Sequence, residues 1–382
     1  MGLTTYPENW EIKPLGALCD VVMGQSPSSS SYNQNGSGLP LIQGMADVIE
    51  GRTFVRNWTS EPKKIVQKDS ILLSVRAPVG EIARASEDVC LGRGMCGILP
   101  FKGVSREYLA HLLTFYKSTW DAIQQGSTFT AVNKNDISKF EIVLPNDEEE
   151  QKIIAESLSD IDELINYLKH SIKKTIEIKN GFLHEIFHPL MRNEMISNHA
   201  FLASGGTPLT SIKSFYGGEI PWVSISDITN SGKYISQTQR TLTESGLSNS
   251  SAFVYPENTL LFAMYASIGK CAIPTVKVSS SQAILGITCK DSLNIKYLYH
   301  FLTYIQPELI SMGQQGTQSN LNKIIVGSIK FPLLEIYEQE YIAEKLDDLD
   351  RSISTDEECL QKYEWLKQGM MNDLLTGKVR LV

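Results

Sequence analysis

The stretch EQKIIAESLSDID, residues 150–162, returns as EQEYIAEKLDDLD at residues 338–350, a constant 188 positions later. Both copies step their apolar residues by threes and fours. In the first these are Ile154, Leu158, Ile161, Ile165, Leu168 and Ile172; in the second they are Ile342, Leu346, Leu349 and Ile353, resuming at Leu360, Tyr363, Met370 and Leu374. That spacing is the a/d seam of a helix built to pack on another helix. Each seam follows a proline, Pro145 or Pro332, and a burst of acids, which suits the positive end of a helix dipole. Two seamed helices in one chain bury their stripes most economically against each other. The expectation is an antiparallel coiled coil with internal pseudo-twofold symmetry and a module at each end, about 40 residues of helix spanning about 60 Å.

The duplication extends upstream of the helices. MGQSPSSSSY (23–32) answers SGGTPLTSIK (204–213), LPLIQGMADV (39–48) answers IPWVSISDIT (220–229), and IQQGSTFTAVNK (123–134) answers GQQGTQSNLNK (313–323). ILLSVRAPVGEIA (71–83) answers LLFAMYASIGKCA (260–272), with Gly80 opposite Gly269. Short apolar runs such as SILLSV, FEIVLP and TLLFAM, bounded by Gly, Pro, Asn and Ser, read as strands and turns. SREYLAHLLTFYKSTWDAIQQ and NIKYLYHFLTYIQPELISM read as helices among them. The fold class expected is therefore α/β (mixed α+β) modules in tandem, each followed by a long α-helix. The segments are 1–146, a first module; 147–192, its helix; 193–334, a second module; and 335–382, a second helix with a tail. WEIKPLGAL (10–18), which opens the first module, has no clear second copy.

Charge follows the same division. The net charge of −8 argues against a nucleic-acid partner until it is resolved by segment. Segments 1–146 and 193–334 carry 14 basic with 14 acidic and 9 basic with 7 acidic groups, whereas 147–192 and 335–382 carry 6 with 10 and 6 with 12. The acid sits on the helices. Six scattered cysteines without a C-x-x-C pair indicate neither a zinc ribbon nor a disulfide framework. With no signal-like N-terminus and no run of about 18 apolar residues, the expected location is cytoplasmic, with no membrane partner.

One motif points elsewhere. HEIFH (184–188) has the H-E-x-x-H spacing that on a helix presents two imidazoles to zinc with a glutamate as base. In the repeat, however, His184 answers Asn372, Glu185 answers Asp373 and His188 answers Thr376, while Phe182 and Ile186 keep an apolar face with Met370 and Leu374. The better reading is a helix end with imidazoles near its negative pole and no metal. Zinc hydrolysis through His184, Glu185 and His188 stays as one alternative, and a coiled-coil scaffold that joins proteins as another.

The order Gly205-Gly206-Thr207-Pro208, then Tyr216-Gly217-Gly218-Glu219-Ile220-Pro221-Trp222-Val223-Ser224 and Asp227-Ile228, resembles the DNA specificity subunit of type I restriction-modification enzymes. RAPVG (76–80), the two helix starts and LKQGMMNDLLTGKVRL (366–381) share the likeness, which covers essentially the whole chain. The resemblance implies that each module is a target recognition domain reading one half of a bipartite, asymmetric site in double-stranded DNA. It implies that the helices fix the unread spacer and dock two adenine-N6 methyltransferase subunits, with two restriction subunits joining for cleavage. A related methyltransferase system without a separate motor-nuclease remains open. No cofactor is expected on this subunit: S-adenosylmethionine serves the methyltransferase, and ATP and magnesium a restriction subunit.

Nothing in the chain itself promises catalysis. It carries no N/D-P-P-Y/F motif, no phosphate loop around Gly269-Lys270, and in LGRGMCG (91–97) only a turn between short strands. Base reading would fall to exposed Arg, Lys, Asn and Gln, with other cations clamping phosphates. Candidates in the first module are Arg52, Arg56, Lys63 and Lys64 around Phe54 and Trp58, with Arg76 and the polar loop Ser26–Asn35. In the second they are Lys213, Lys233, Tyr234 and Arg240, with Gln237 and Gln239. Gln125-Gly126 and Gln315-Gly316, shared by both copies, are expected to hold a common turn. Helix packing is assigned to the seam residues above, Leu360 and Leu374 included.

Overall fold

The computed structural model describes residues 6–120, 132–314 and 320–382, so both Gln-Gly pairs lie outside the described residues. By its chain contacts the protein divides into two compact units, residues 1–169 with 358–382 and residues 170–357. Each unit thus takes one module, half of the first long helix (Glu148–Phe187) and half of the second (Ile336–Leu374).

In the first unit a six-stranded sheet runs in the order Cys19–Met23, Met95–Pro100, Ile71–Ser74, Ile82–Arg84, Arg52–Thr53, Val48–Ile49. A five-stranded sheet runs Tyr32–Asn33, Trp58–Thr59, Leu39–Ile42, Val89–Leu91, Ile65–Val66. The second unit repeats the plan with fewer strands. Ala200–Ser204, Ile284–Cys289, Thr259–Ala263, Cys271–Pro274 and Tyr234–Ile235 form the larger sheet, and Arg240–Leu242, Tyr216–Val223 and Ser279–Ser280 the smaller. The senses of pairing also repeat: Leu39–Ile42 is parallel to Val89–Leu91, as Tyr216–Val223 is to Ser279–Ser280. Gly80 and Gly269 share a left-handed backbone, φ 84° and 81°, which only glycine adopts without strain, and a Cβ at Gly80 would lie 2.8 Å from the Trp120 side chain.

The opening of the first module does have a second copy, contrary to the sequence reading. Trp10–Pro14 pairs antiparallel with Glu141–Pro145, and Glu194–Met195 pairs in the same way with Lys330–Phe331. The Leu15 amide donates to the Phe140 carbonyl at 2.8 Å, and that of Ile196 to Ile329 at 3.0 Å. The correspondence hides because the packing residues have exchanged sides. Gly16 lies against Ser138 in one unit, and in the other Ser197 lies against Gly327. Backbone geometry was kept while the small residue moved, and sequence matching has no access to that.

Each module core reaches into the helices. In the first unit Ile154, Ala155 and Leu158 share one buried cluster with Met371, Leu374 and Leu375 and with Tyr108, Leu109 and Leu112 of the helix Arg106–Phe115. In the second, Leu183, Phe187, Ile342, Ala343 and Leu346 join Tyr297, Phe301 and Phe331. Polar pairs fix an antiparallel course: Lys169 to Glu364 at 3.0 Å and Lys367 to Asp162 at 2.5 Å in the first unit, Ser171 to Asp356 at 3.0 Å and Lys179 to Asp350 in the second.

The seam needs two corrections. Ile161, Ile165 and Leu168 are buried as a helix-packing stripe should be, but Ile172, Leu349, Ile353 and Leu360 are only partly covered. Its outer positions, Ile154, Leu158, Ile342, Leu346 and Leu374, pack into module cores as well as against the opposite helix. The covered face near residue 184 is also one position off, since Leu183 and Phe187 are buried whereas Phe182 and Ile186 are half-buried. Fully burying Phe187 contributes about 1.5–3 kcal/mol.

Candidate functional site

Two kinds of site are repeated: a junction between module and helix, and an exposed strand-end edge on each module. At the first junction the fully buried Gln151 side chain accepts the Ser105 amide at 2.8 Å and donates to the Pro145 carbonyl at 2.9 Å. At the second, Gln339 accepts the Asn294 amide at 2.9 Å and donates to the Ser292 and Leu334 carbonyls at 3.0 and 2.8 Å. Each glutamine ties the start of a module helix to the start of a long helix. Beside Gln151, the buried Glu150 carboxylate receives Arg380 through two bonds of 2.9 Å and the Trp10 indole at 3.3 Å.

A histidine stands above each glutamine. His111 bonds Ser159 at 3.0 Å and lies 3.9 Å from Asp162, and burial pushes its imidazole down to about 4. His300 bonds Asp347 at 2.8 Å, with Lys233 at 3.2 Å and Asp350 at 4.0 Å, and burial lowers it too. Asp347 also receives Lys233, and Lys296 at 3.2 Å. Burial opposes its ionisation, but His300, Lys233 and Lys296 outweigh that and hold the carboxyl well below the usual range. His300, Asp347 and Asp350 bring three ligand-type atoms within 4.8 Å of one another. Yet three lysines, 233, 296 and 179, already neutralise the two carboxylates. The donor set is an ion-pair network that fastens module to helix, and a divalent cation would meet lysines there.

Lys233 is therefore removed from the exposed candidates. Its side chain is 13% exposed and closes on Asp347, because the long helix covers that strand end. Tyr234 beside it is exposed, with the Lys233 ammonium 5.6 Å from its ring. Lys213 and Arg240 are exposed without an ion-pair partner among the described residues, and Arg240 lines a 470 Å³ groove with Gln239, Tyr216 and Thr210. Gln237 is exposed as well.

In the first module the candidates do not form one cluster around Phe54 and Trp58. Arg52 lies on the six-stranded sheet, 3.6 Å from Asp69, whereas the exposed Lys63 and Lys64 lead into the five-stranded sheet. Arg56 is held by its Nε and Nη2 on Asp47 Oδ1, at 2.8 and 2.6 Å. Arg76 is exposed beside the turn Gly92–Gly94, since the Val75 amide donates to the Gly94 carbonyl at 2.9 Å. The loop Ser26–Asn35 runs from that edge into its own short 3-10 turn at Ser29–Ser31.

Sequence reasoning passed over Arg93, which tops this turn and is exposed, without a side-chain partner among the described residues. The available signal was an arginine between two glycines in a stretch already read as a turn between short strands. In the motif of the second module, four of the residues that carry the likeness hold the backbone in place. The Trp222 indole donates to the Gly206 carbonyl at 3.0 Å, and Asp227 caps the Ser224 amide at 2.8 Å.

The H-E-x-x-H imidazoles are otherwise engaged. His184 Nδ1 bonds the Tyr304 hydroxyl at 3.0 Å, and His188 Nδ1 accepts the Leu190 amide at 3.3 Å as a cap for the next turn. No helix among the described residues is long and apolar enough to cross a membrane.

Comparison with known proteins agrees with this duplicated plan. The Type I restriction modification DNA specificity domain family matches residues 7–178 and again 197–364. The chain is 40% identical over 174 residues to a protein described as a putative type I restriction enzyme MjaX specificity subunit from Methanocaldococcus jannaschii, covering 45% of this chain and 40% of that protein. It is 24% identical to the type I restriction enzyme MjaVIII specificity subunit of the same organism, over 98% of this chain and 94% of that one. In fold it is similar to the S subunit of a type I restriction-modification system from M. genitalium, with a TM-score of 0.65 at 16% identity and 96% coverage of both chains.

Proposed function

Since the chain belongs to the DNA specificity subunits of type I restriction-modification systems, we propose that its two modules read the two halves of a bipartite, asymmetric site in double-stranded DNA. The observation that carries this reading is that one backbone plan is built twice while the exposed side chains at its strand ends differ. A single plan with two sets of side chains is what two different half-sites require.

Chemistry comes from partners in this reading. Two adenine-N6 methyltransferase subunits, using S-adenosylmethionine, dock on the acidic long helices, and two restriction subunits using ATP and magnesium join where cleavage occurs. The subunit itself binds, positions and does not catalyse, and it works in the cytoplasm. Segment charge supports the division, because the acid on the helices repels phosphate while the two modules together are close to neutral.

The test is a single-molecule methylation map of cells that carry this chain with its methyltransferase. Methylated adenines in one split, asymmetric motif are the expected result. A continuous motif, or none, would sink the reading.

A further inference from the structure

The strand-end edge is duplicated bond for bond. In the first module the Gly24 amide donates to Met95, Gln25 to Leu91, Gly92 to Ile42 and Val75 to Gly94, at 2.9, 2.8, 2.8 and 2.9 Å. In the second, Gly205 donates to Ile284, Gly206 to Ser280, Ser281 to Val223 and Met264 to Ala283, at 3.0, 2.9, 2.9 and 3.0 Å. Even the side-chain clamp recurs: Ser26 accepts the Arg93 amide at 3.2 Å, and Thr207 accepts that of Gln282 at 3.5 Å. Arg93 and Gln282 therefore occupy one structural position.

Both side chains are exposed, and neither has a partner among the described residues. The first turn is pressed tightly onto its neighbour, since a Cβ on Gly94 would stand 2.2 Å from the Gln43 carbonyl oxygen. A second position follows from the buried aspartates. Asp47 accepts the Gln43 amide at 2.8 Å and grips the Arg56 guanidinium, and Asp227 accepts the Ser224 amide at 2.8 Å and the Gln239 amide at 2.9 Å. Asp47 holds a side chain where Asp227 holds the Gln239 backbone N–H, but the strand register agrees: Pro40 pairs with Trp58 as Pro221 pairs with Thr241, so Arg56 and Gln239, two residues earlier on each strand, are a matched pair as well. At both positions the first module presents arginine and the second presents glutamine, on a backbone that is otherwise the same.

Arginine reads guanine through O6 and N7, and glutamine reads adenine through N6 and N7. We propose that positions 93 and 282 are the specificity-determining positions of the two modules, with Arg93 reading a guanine in one half-site and Gln282 an adenine in the other. Arg56, already oriented by Asp47, supports the same choice in the first module. The inference rests on the DNA-reading function proposed above and adds which side chains choose the bases.

The experiment compares methylation maps from the full chain, co-expressed with its methyltransferase, for the parent, Arg93→Gln and Gln282→Arg. Arg93→Gln is expected to abolish a guanine requirement at one position of one half-site and leave the other half-site untouched. Gln282→Arg is expected to replace an adenine by a guanine in the other half-site alone. The purified complex is then competed with duplexes altered at that position. The parent loses about 5- to 150-fold in affinity for the altered duplex, and Arg93→Gln binds both duplexes within about twofold.

If a variant methylates nothing, the same competition at low salt decides: lost discrimination supports the assignment, and discrimination equal to the parent's overturns it. Unchanged half-sites in both variants, or a change in the wrong half-site, overturn it too. A parent map without a bipartite motif is a different failure, that of the DNA-reading function itself.

Discussion

Gln151 accepts the Ser105 amide at 2.8 Å, and 188 residues later Gln339 accepts the Asn294 amide at 2.9 Å. The same buried amide side chain closes the joint between module and long helix twice. Gln151 also donates to one carbonyl of the joint and Gln339 to two, so removing either side chain leaves polar groups of the joint without that partner. Gln339→Ala should cost about 2–4 kcal/mol and Gln151→Ala somewhat less, because Gln339 donates to two carbonyls and Gln151 to one. Urea unfolding of the full chain checks both, and equal small losses under about 0.5 kcal/mol would show the joint to be held by apolar packing alone.

Acid should loosen the first joint. His111 titrates at about 4 in the folded chain because burial disfavours its charge, against an ordinary value of 6.5. The unfolded chain therefore binds the proton first, and stability falls as pH drops from about 6.5 to about 4. The histidine contribution to that fall is on the order of 3 kcal/mol. His111→Asn should flatten this part of the pH–stability curve, measured by urea midpoints at several pH values; an unchanged slope would contradict the assignment.

Two matched tyrosines should respond in opposite ways. The Tyr297 hydroxyl donates to the Pro332 carbonyl at 2.9 Å, whereas the Tyr108 hydroxyl has no partner among the described residues. Tyr297→Phe should destabilise by about 1 kcal/mol, and Tyr108→Phe should be neutral or stabilising. Thermal unfolding of the two variants, read side by side, decides it.

Lys233 and Arg240 separate structure from binding. Lys233→Met leaves His300 and Asp347 with one cation fewer in a buried network and should cost about 3–5 kcal/mol of stability. Arg240→Ala should leave stability within about 0.5 kcal/mol and lower the salt-dependence slope of DNA binding by about 1. If Lys233→Met changed the slope and Arg240→Ala did not, the placement of both side chains would be wrong.

Helix length is the remaining test. Adding about four residues to each long helix at the exposed turns near Lys174 and Glu357 adds about 6 Å of helix. The unread spacer should lengthen by about one or two base pairs in the methylation map, and an unchanged spacer would remove the helices' role as a ruler.

Much of this was legible in the residues because local chemistry decides it. The seam from Ile154 to Leu168 reports a helix face, and Gly80 with Gly269 reports one turn built twice, since only glycine takes φ near 80° without strain. What the sequence by itself determined is a duplicated α/β chain with two paired helices, through periodicities and backbone constraints that act over a few residues. Tertiary structure alone decided which exposed cations are available. Lys233 and Arg240 look alike in the sequence, but a helix more than 100 residues away supplies Asp347 to one and nothing to the other. Likewise the second copy of Trp10–Pro14 became visible only as a backbone pairing, since Gly16 with Ser138 and Ser197 with Gly327 conserve a close contact, which is a property of pairs. Arg93 and Gln282 share a position for the same reason: hydrogen bonds between distant strand ends, and no likeness of side chain, define it.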